Sequence, residues 1–464
     1  MRQDVLALLP ELCLLLGAVG GLLVGLWLPR ERQWIVHALA AAALLAAIAL
    51  ALADATGASR TVFDGTYTLD PTLHTVRVVV PAATLLVLAL SRGAVRGHVR
   101  ETEYAVLLLL AALGAVLLAG ASDLLVLAGA YLLASIALYP LAGFAKDAPG
   151  TEAALKLALF GAFLGITMLA GITALYGLGG GTAYATLRGG LTEVPPSAVT
   201  AAAVAVLAGL LFKAGAVPGH FWVPDATEGA GVGVAAFLTT VPKIGGLAAI
   251  YRLSTEAVPA PAGLALVLAV LAAASMTLGN LAAFWQDNAR RLLAYSTISQ
   301  VGYLLIAPAA AGAELARPAL LFYLAAYAVT NLGAFAVVAA HHRGENLDDY
   351  TGLFRRMPLL ALTLVVCLLG LVGTPPTAVF VGKLTIFAAG LDSPMTWLVV
   401  LAVANTVASV FYYLRWIAPL FKEPTDEHTA GVPVGWAPAT AYTAGALTLL
   451  LGVGGGLILE ALSA

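Results

Sequence analysis

Long apolar runs separated by short polar stretches set the rhythm of this chain. Read in windows of about 17–25 residues, the length a helix needs to cross a bilayer core, fourteen runs stand out. They start near Leu6, Trp34, Val76, Tyr104, Asp123, Glu152, Ser197, Val232, Ala262, Arg291, Pro318, Met357, Thr396 and Ala441. The connecting stretches are short except 55–75, 179–196, 341–356 and 418–439, and none is large enough for a soluble domain. The pattern predicts an all-α polytopic membrane protein, a single transmembrane domain of about fourteen helices.

Two of the runs are interrupted. The seventh contains LLFKAGAVPGHFWVPD, Leu210 to Asp225, and breaks over Gly215, Pro218 and Gly219. The twelfth, LLGLVGTPPTAVFVGKLTIF, breaks at Pro375 and Pro376, seven residues before Lys383. Proline deletes a backbone hydrogen bond that lipid cannot replace, so such a break must face protein or a wet cavity. A pair of interrupted spans in corresponding positions marks an inverted-repeat transporter with its path near mid-membrane. Spans four to eight and nine to thirteen form two five-helix units with the broken helix fourth in each, and because five is odd the units are inverted. The predicted organisation is 1–100 for N-terminal helices, 101–255 for the first repeat, 262–420 for the second and 440–464 for a C-terminal helix.

Composition sharpens this picture. The chain of 464 residues is 61% hydrophobic and 10% charged, more apolar than a soluble fold can bury. A net charge of −2 points to no nucleic acid and no acidic partner. Cys13 and Cys367 lie inside apolar runs and read as buried thiols. The first run has no small-residue cleavage site and reads as retained. Outside the spans, thirteen Lys and Arg fall in odd-numbered loops and six in even loops and the N-terminus. By the positive-inside rule the odd loops are cytoplasmic and both termini lie outside.

Four basic residues, Lys156, Lys213, Lys243 and Lys383, fall within spans. An ionisable group in hydrocarbon is costly and by default marks function. Lys213 and Lys383 adjoin broken helices, where freed carbonyls and water can solvate an ammonium, and Lys243 follows Pro242 in span eight. A buried lysine can both take up and release a proton, so the three together read as a relay. Lys156 follows Glu152 by one turn, which suits an ion pair at the surface as well as a relay. His220 follows the first break, where an imidazole can titrate near neutrality or be merely structural. Asp225 and Glu228 suit gating or interfacial roles. Asp287, Arg290 and Arg291 read as a solvated structural cluster, and Tyr303, Tyr323 and Tyr327 as packing or as part of a hydrogen-bonded chain. There is no CxxC, no haem-spaced histidine pair and no P-loop. GLGGG at Gly177 sits in a loop with no strand before it and is not a dinucleotide fingerprint. The vicinal His341 and His342 are weak evidence for metal. No cofactor is expected in this chain.

The stretches FKAGAVPGHFWVPDATEGA, TTVPKIGGLAA, RRLLAYSTISQVGYLL, LDDYTGLFRRMPLLA and GTPPTAVFVGK, in that order, resemble the antiporter-like proton-translocating membrane subunits of respiratory complex I, an NADH:quinone oxidoreductase. LPEL at Leu9–Leu12, ETEYAVLLLLAALGAVLLAGASDLL and EAALK at Glu152–Lys156 are similar to the N type. The resemblance implies a translocase subunit of a respiratory chain in a bacterial plasma membrane, partnered by other membrane-arm subunits and doing no redox chemistry itself. It assigns proton transfer to Lys213, Lys243 and Lys383, with Lys156 matching a lysine the N type carries on span six. The alternatives are a subunit of a multisubunit cation/proton antiporter or membrane-bound hydrogenase, a non-pumping spacer, and a stand-alone solute transporter. In the family a span-five glutamate pairs with the span-seven lysine; an ungapped match puts Leu132 there, and the only acid of that span is Asp123. Gly231 and Gly233 replace both prolines of the family's EGAPxP turn. The expectation is altered coupling or a partly structural role.

Overall fold

The structure is a computed structural model describing residues 2–55, 57–260, 263–341, 344–423 and 435–463. The expected start of span nine at Ala262, and His342 and Arg343, lie outside the described residues. Among those described, thirteen helices are long and apolar enough to cross a membrane. Spans 1 to 3 are Leu9–Trp27, Arg30–Asp54 and Pro71–Val95; spans 4 to 8 are Glu101–Gly120, Leu124–Ala142, Ala148–Gly179, Pro196–Ala214 and Val232–Ala257. Spans 9 to 11 are Leu264–Ala283, Ala289–Ala309 and Ala316–Ala340, and spans 13 and 14 are Thr396–Leu420 and Trp436–Val453. Pro358–Val372 and Ala378–Leu391, each too short to cross alone, together supply span 12, giving the fourteen crossings expected.

Helix starts follow local chemistry. Asp70, Asp123 and Asp147 each accept a hydrogen bond from a first-turn N–H of spans 3, 5 and 6, with proline in the opening turn of spans 3 and 6. This is the N-cap arrangement that satisfies donors the helix cannot use itself. Two stretches read as loops are structured. Residues 55–75 hold an antiparallel hairpin, Arg60–Val62 with Tyr67–Leu69. Residues 179–196 hold a short helix, Tyr184–Gly190. GLGGG is not a loop at its start, because span 6 continues through Gly177 to Gly179 and turns at Gly180. Single-residue bridges Tyr67–Ala121 and Asp123–Ala183 knit the even loops together, and Asn288–Asn346 joins odd ones.

Spans 8, 10 and 11 form the centre: 94%, 94% and 89% of their apolar windows are buried, against 33% for spans 1, 2, 6 and 14. These three also carry buried polar side chains, among them Thr239, Lys243, Thr297, Gln300 and Asn331, so the outer spans act as a lipid-facing jacket around a partly polar interior. Span 6 packs on span 7 through Gly171, whose side-chain position is filled by the backbone at Val206, the small-residue contact that lets membrane helices approach closely. The three N-terminal spans are fastened by Arg77, fully buried on span 3. It donates to both carboxylate oxygens of Glu11 at 2.8 Å, to Asp54 at 3.1 Å and to the Ala7 carbonyl at 2.8 Å. Tyr67 of the hairpin adds a bond to Glu11 at 2.9 Å. Burial, reinforced by the Glu11 charge, pushes the Tyr67 phenol well up, so it stays a donor.

Candidate functional site

Both helix breaks are built alike. Span 7 ends at Ala214 and caps on Gly215 in the left-handed region (φ 74°) before helix resumes at Trp222–Gly229. The first half of span 12 ends at Val372 and caps on Gly373 (φ 91°) before Ala378–Leu391. A helix end leaves carbonyls without intrahelical donors, and here lysines take them. Lys243 Nζ donates to the Ala214 carbonyl at 2.8 Å. Lys383 Nζ donates to the carbonyls of Val372 at 2.9 Å and Leu371 at 3.3 Å. Other free groups in the first break are met by Ser275, which accepts from Val217 N at 3.0 Å, and by Trp222, whose indole donates to Phe212 O at 3.0 Å.

Lys213, Lys243 and Lys383 are 1%, 1% and 3% exposed. Among the described residues no carboxylate pairs with any of them. Each instead has oxygen acceptors and an aromatic face: Lys213 with Tyr131 (5.2 Å to the ring centroid), Lys243 with Trp222 (5.6 Å) and Lys383 with Tyr303 (4.2 Å). A desolvated ammonium over a ring gains about 2 kcal/mol, which offsets part of a burial cost of several kcal/mol per ion. The amines turn inward to polar groups and do not snorkel to the surface.

The acid position needs correction. Leu132 is 45% exposed and faces outward. The residues of span 5 that meet Lys213 are its neighbours on the inner face, Tyr131 and Ser135, four residues and so one turn apart. Lys213 Nζ donates to Ser135 Oγ at 2.6 Å, and Ser135 donates to the Tyr131 carbonyl at 2.7 Å. A glutamate at Leu132 would therefore point away from the lysine.

Two hydrogen-bonded groups lie in the buried centre between Lys243 and Lys383. Thr239 and Thr240, just ahead of Lys243, accept from Asn331 Nδ2 at 3.0 Å each. Tyr327 donates to the Thr239 carbonyl at 2.8 Å and to Thr297 at 2.9 Å. One turn along spans 10 and 11, Tyr323 donates to the Gln300 amide oxygen, and Gln300 donates to Leu371 O at 2.7 Å, the carbonyl that Lys383 also uses. Tyr303 accepts from Thr406 at 3.2 Å. Tyr323 and Tyr327 thus each belong to one of these groups as well as to the packing, whereas Tyr303 meets Thr406 and the Lys383 amine. Asn331 Oδ1 and Ser299 Oγ are buried without a protein partner, the kind of atom that ordered water serves in folded interiors.

At the odd-loop face lies a cavity of about 490 Å³ lined by Glu152 and Lys156 of span 6, Asp225 and Glu228 of the resumed span 7, and Arg290 and Arg291 at the start of span 10. Lys156 bridges Glu152 and Asp225, both at 2.7 Å. Arg291 bridges Asp225 at 3.0 Å and Glu228 at 2.7 Å. The expected solvated cluster is thus divided: Arg291 is a tie between the two repeats, Arg290 donates to the Ala230 carbonyl at 2.8 Å, and Asp287 sits apart near Arg415 at 3.7 Å. Lys156 belongs to this vestibule and not to the buried groups. His220 joins neither: its ring packs on Phe221, which is 60% exposed. The space a side chain on Gly233 would take is held by Ser91 and Tyr104, which bond each other at 2.8 Å. No group of three or more His, Cys, Asp or Glu that could hold a metal occurs among the described residues.

Lys243, Tyr303, Tyr323 and Tyr327 of spans 8, 10 and 11 stand out in the sequence, whereas Thr239, Thr240, Thr297, Gln300 and Asn331 do not. The signal for them was present in the periodicity: Thr297 and Gln300 at i, i+3 and Tyr323, Tyr327 and Asn331 at i, i+4 each mark one helix face. The Asp225–Arg291 tie joins residues 66 apart and left no local trace.

Comparison with known proteins places this geometry. Residues 121–409 match the NADH:quinone oxidoreductase/Mrp antiporter transmembrane family. The chain is 56% identical, over 100% of its own length and 99% of the relative's, to NADH-quinone oxidoreductase subunit N 1 of Streptomyces griseus subsp. griseus. It is similar to a chain in the structure of respiratory complex I from Thermus thermophilus with bound Aureothin, with TM-score 0.84, 33% identity and 98% and 99% of the two chains covered. A chain of the Mrp complex from Dietzia sp. shares the fold at TM-score 0.87 and 23% identity, covering 100% of this chain and 96% of that one.

Proposed function

Because the chain belongs to the NADH:quinone oxidoreductase/Mrp antiporter transmembrane family, and within it to the subunit N type that partners other membrane-arm subunits in a respiratory complex, we propose that it carries protons across the bilayer along its buried lysines. The observation that carries this reading is the row Lys213, Lys243 and Lys383: three buried lysines with no paired carboxylate among the described residues, the last two flanking buried polar groups in which Thr239 meets Asn331 and Tyr327, and Tyr323 meets Gln300. Hydroxyls and amides that both donate and accept can hand a proton on, whereas a purely structural interior of this fold gains nothing from three uncompensated charges. Electron transfer belongs to partner subunits, and the chemistry of this chain is proton transfer alone.

The odd-loop vestibule serves as the aqueous mouth of the first repeat, with Lys156 and Asp225 at its floor. Two of the six basic residues counted for the other face, Arg77 and Arg252, are buried in ion pairs with Glu11, Asp54, Asp70 and Glu256. The charge asymmetry of the solvent-facing loops is therefore steeper than the raw count, which supports a cytoplasmic odd face in a bacterial plasma membrane and both termini outside. The test is proton pumping per NADH in the reconstituted, assembled complex. Lys213→Ala and Lys383→Ala each lower pumping while the subunit stays in the complex; unchanged pumping in both variants would return the chain to the spacer reading.

A further inference from the structure

Where the resemblance implies a span-five carboxylate, Lys213 meets hydroxyls. Lys213 Nζ donates to Ser135 Oγ at 2.6 Å, shorter than an ordinary N–H···O bond. Tyr139 lies four residues beyond Ser135, one turn along the same face of span 5. Both phenols of span 5 close on one point of span 6. Tyr131 Oη donates to the Gly161 carbonyl at 3.2 Å, and Tyr139 Oη occupies the space where a side chain on Gly161 would stand. Glycine at 161 is required here by close approach, since any larger residue displaces the phenol.

Tyr139 is half-buried on the last turns of span 5, and Ala145, six residues on, already lines the vestibule. From Gly161 back to Lys156 on span 6 is five residues, roughly 7.5 Å of helical rise, a gap that one or two water molecules span. The ordered series from the vestibule inward is thus Lys156, Tyr139, Ser135, Lys213.

We propose that Ser135 and Tyr139 are the proton-handling partners of Lys213 in this chain, a neutral hydroxyl pair doing by relay what a carboxylate does by charge. The inference rests on the reading that Lys213 transfers protons. In the release direction the ammonium gives one proton to Ser135 Oγ, which gives its own to Tyr139 Oη, which gives its own to vestibule water. Each hydroxyl forms one O–H bond and breaks one, and Lys213 ends as a neutral amine. Uptake runs the same steps in reverse. Ser135 now donates to the Tyr131 carbonyl, so its hydroxyl turns toward Tyr139 before each transfer.

The test uses the assembled complex in proteoliposomes, reading protons pumped per NADH and the rate of proton-coupled turnover. Tyr139→Phe removes one oxygen and keeps the ring that packs against span 6; Ser135→Ala removes the lysine's acceptor. Each is expected to slow proton-coupled turnover about tenfold, a modest share of what a positioned proton-transfer group supplies. Ser135→Thr, which keeps the hydroxyl, restores it. A role in packing alone would leave Tyr139→Phe at the wild-type rate and Ser135→Thr no better than Ser135→Ala. Wild-type pumping in Tyr139→Phe and Ser135→Ala, with Lys213→Ala defective, overturns this proposal and leaves the lysine reading intact. Wild-type pumping in Lys213→Ala overturns the lysine reading for the first repeat and this proposal with it. If Ser135→Ala fails to assemble, Tyr139→Phe alone decides.

Discussion

The two broken helices solve one problem with different partners. In the second repeat the lysine follows the break and folds back on it, so Lys383 is held by the carbonyls that its own span sets free and by the face of Tyr303. In the first repeat Lys213 precedes the break and reaches across to a hydroxyl of span 5, while the freed carbonyl of Ala214 goes to Lys243 of span 8. The second site therefore takes its carbonyls from its own span and its ring from span 10, while the first is distributed over spans 5, 7 and 8. A kink alone suffices to keep an ammonium solvated inside a membrane protein, because the oxygens it exposes are fixed by the backbone. A side-chain partner, by contrast, is replaceable: Lys213 meets the hydroxyl of Ser135 where the resemblance implies a carboxylate.

If that contrast is right, removing the amines has the largest effect. Lys383→Ala and Lys213→Ala are each expected to lower proton-coupled turnover at least about tenfold, the lower end of what loss of a positioned acid–base group does; a pH-jump dye assay in proteoliposomes measures it. Unequal losses, with Lys213→Ala the milder, would show that the first repeat contributes less than the second.

Disturbing the caps comes next. Gly373→Ala places a methyl 2.9 Å from Lys383 Cδ at φ 91°, and Gly215→Ala places one against the Lys243 amine at φ 74°. Each is expected to destabilise by about 1–3 kcal/mol, the cost of a strained left-handed residue, read as loss of the subunit from the purified complex on mild heating. Similar losses would confirm that the two breaks are equivalent in build; a silent Gly215→Ala would mark the first as the looser.

Tyr303→Leu tests the aromatic half of the Lys383 site. It removes a ring contact worth about 1–2 kcal/mol for a desolvated cation and is expected to slow turnover several-fold. Tyr131→Leu at the first site is expected to do less, because its ring is 5.2 Å from the amine against 4.2 Å for Tyr303.

The smallest expected effect on stability is at the vestibule. Arg291→Gln cuts the tie from the second repeat to Asp225 and Glu228, groups 29% and 40% exposed. Stability should change by about 1 kcal/mol or less, as for other partly solvated pairs. Pumping should fall nonetheless, because the tie is what holds the resumed half of span 7 against span 10. Equal stability with equal pumping would reduce the pair to surface decoration.

Much of this was legible beforehand. Span number, both breaks and the three central lysines follow from apolar run length, proline and the rarity of charge in hydrocarbon, all local properties. Tyr131 and Ser135 were legible in principle, since their i, i+4 spacing puts them on one helix face; Leu132 is one residue on, a turn of about 100°, and faces outward. The Arg291–Asp225 tie and the Asn331–Thr239 bond were not, because they depend on how spans from different repeats dock. His220 looked chemical by residue type and is placed against an exposed phenylalanine.

Lys243 touches the first break through Ala214 and follows Thr239 and Thr240, which meet Asn331 of span 11 in the second repeat. The most direct measurement is therefore protons pumped per NADH by the assembled, reconstituted complex carrying Lys243→Met, which keeps the length of the side chain and removes its charge. Loss of this subunit's share of pumping, with NADH oxidation still measurable and the subunit retained, is the result predicted. A wild-type ratio would contradict the account, because no proton could then be crossing between the halves by way of that amine.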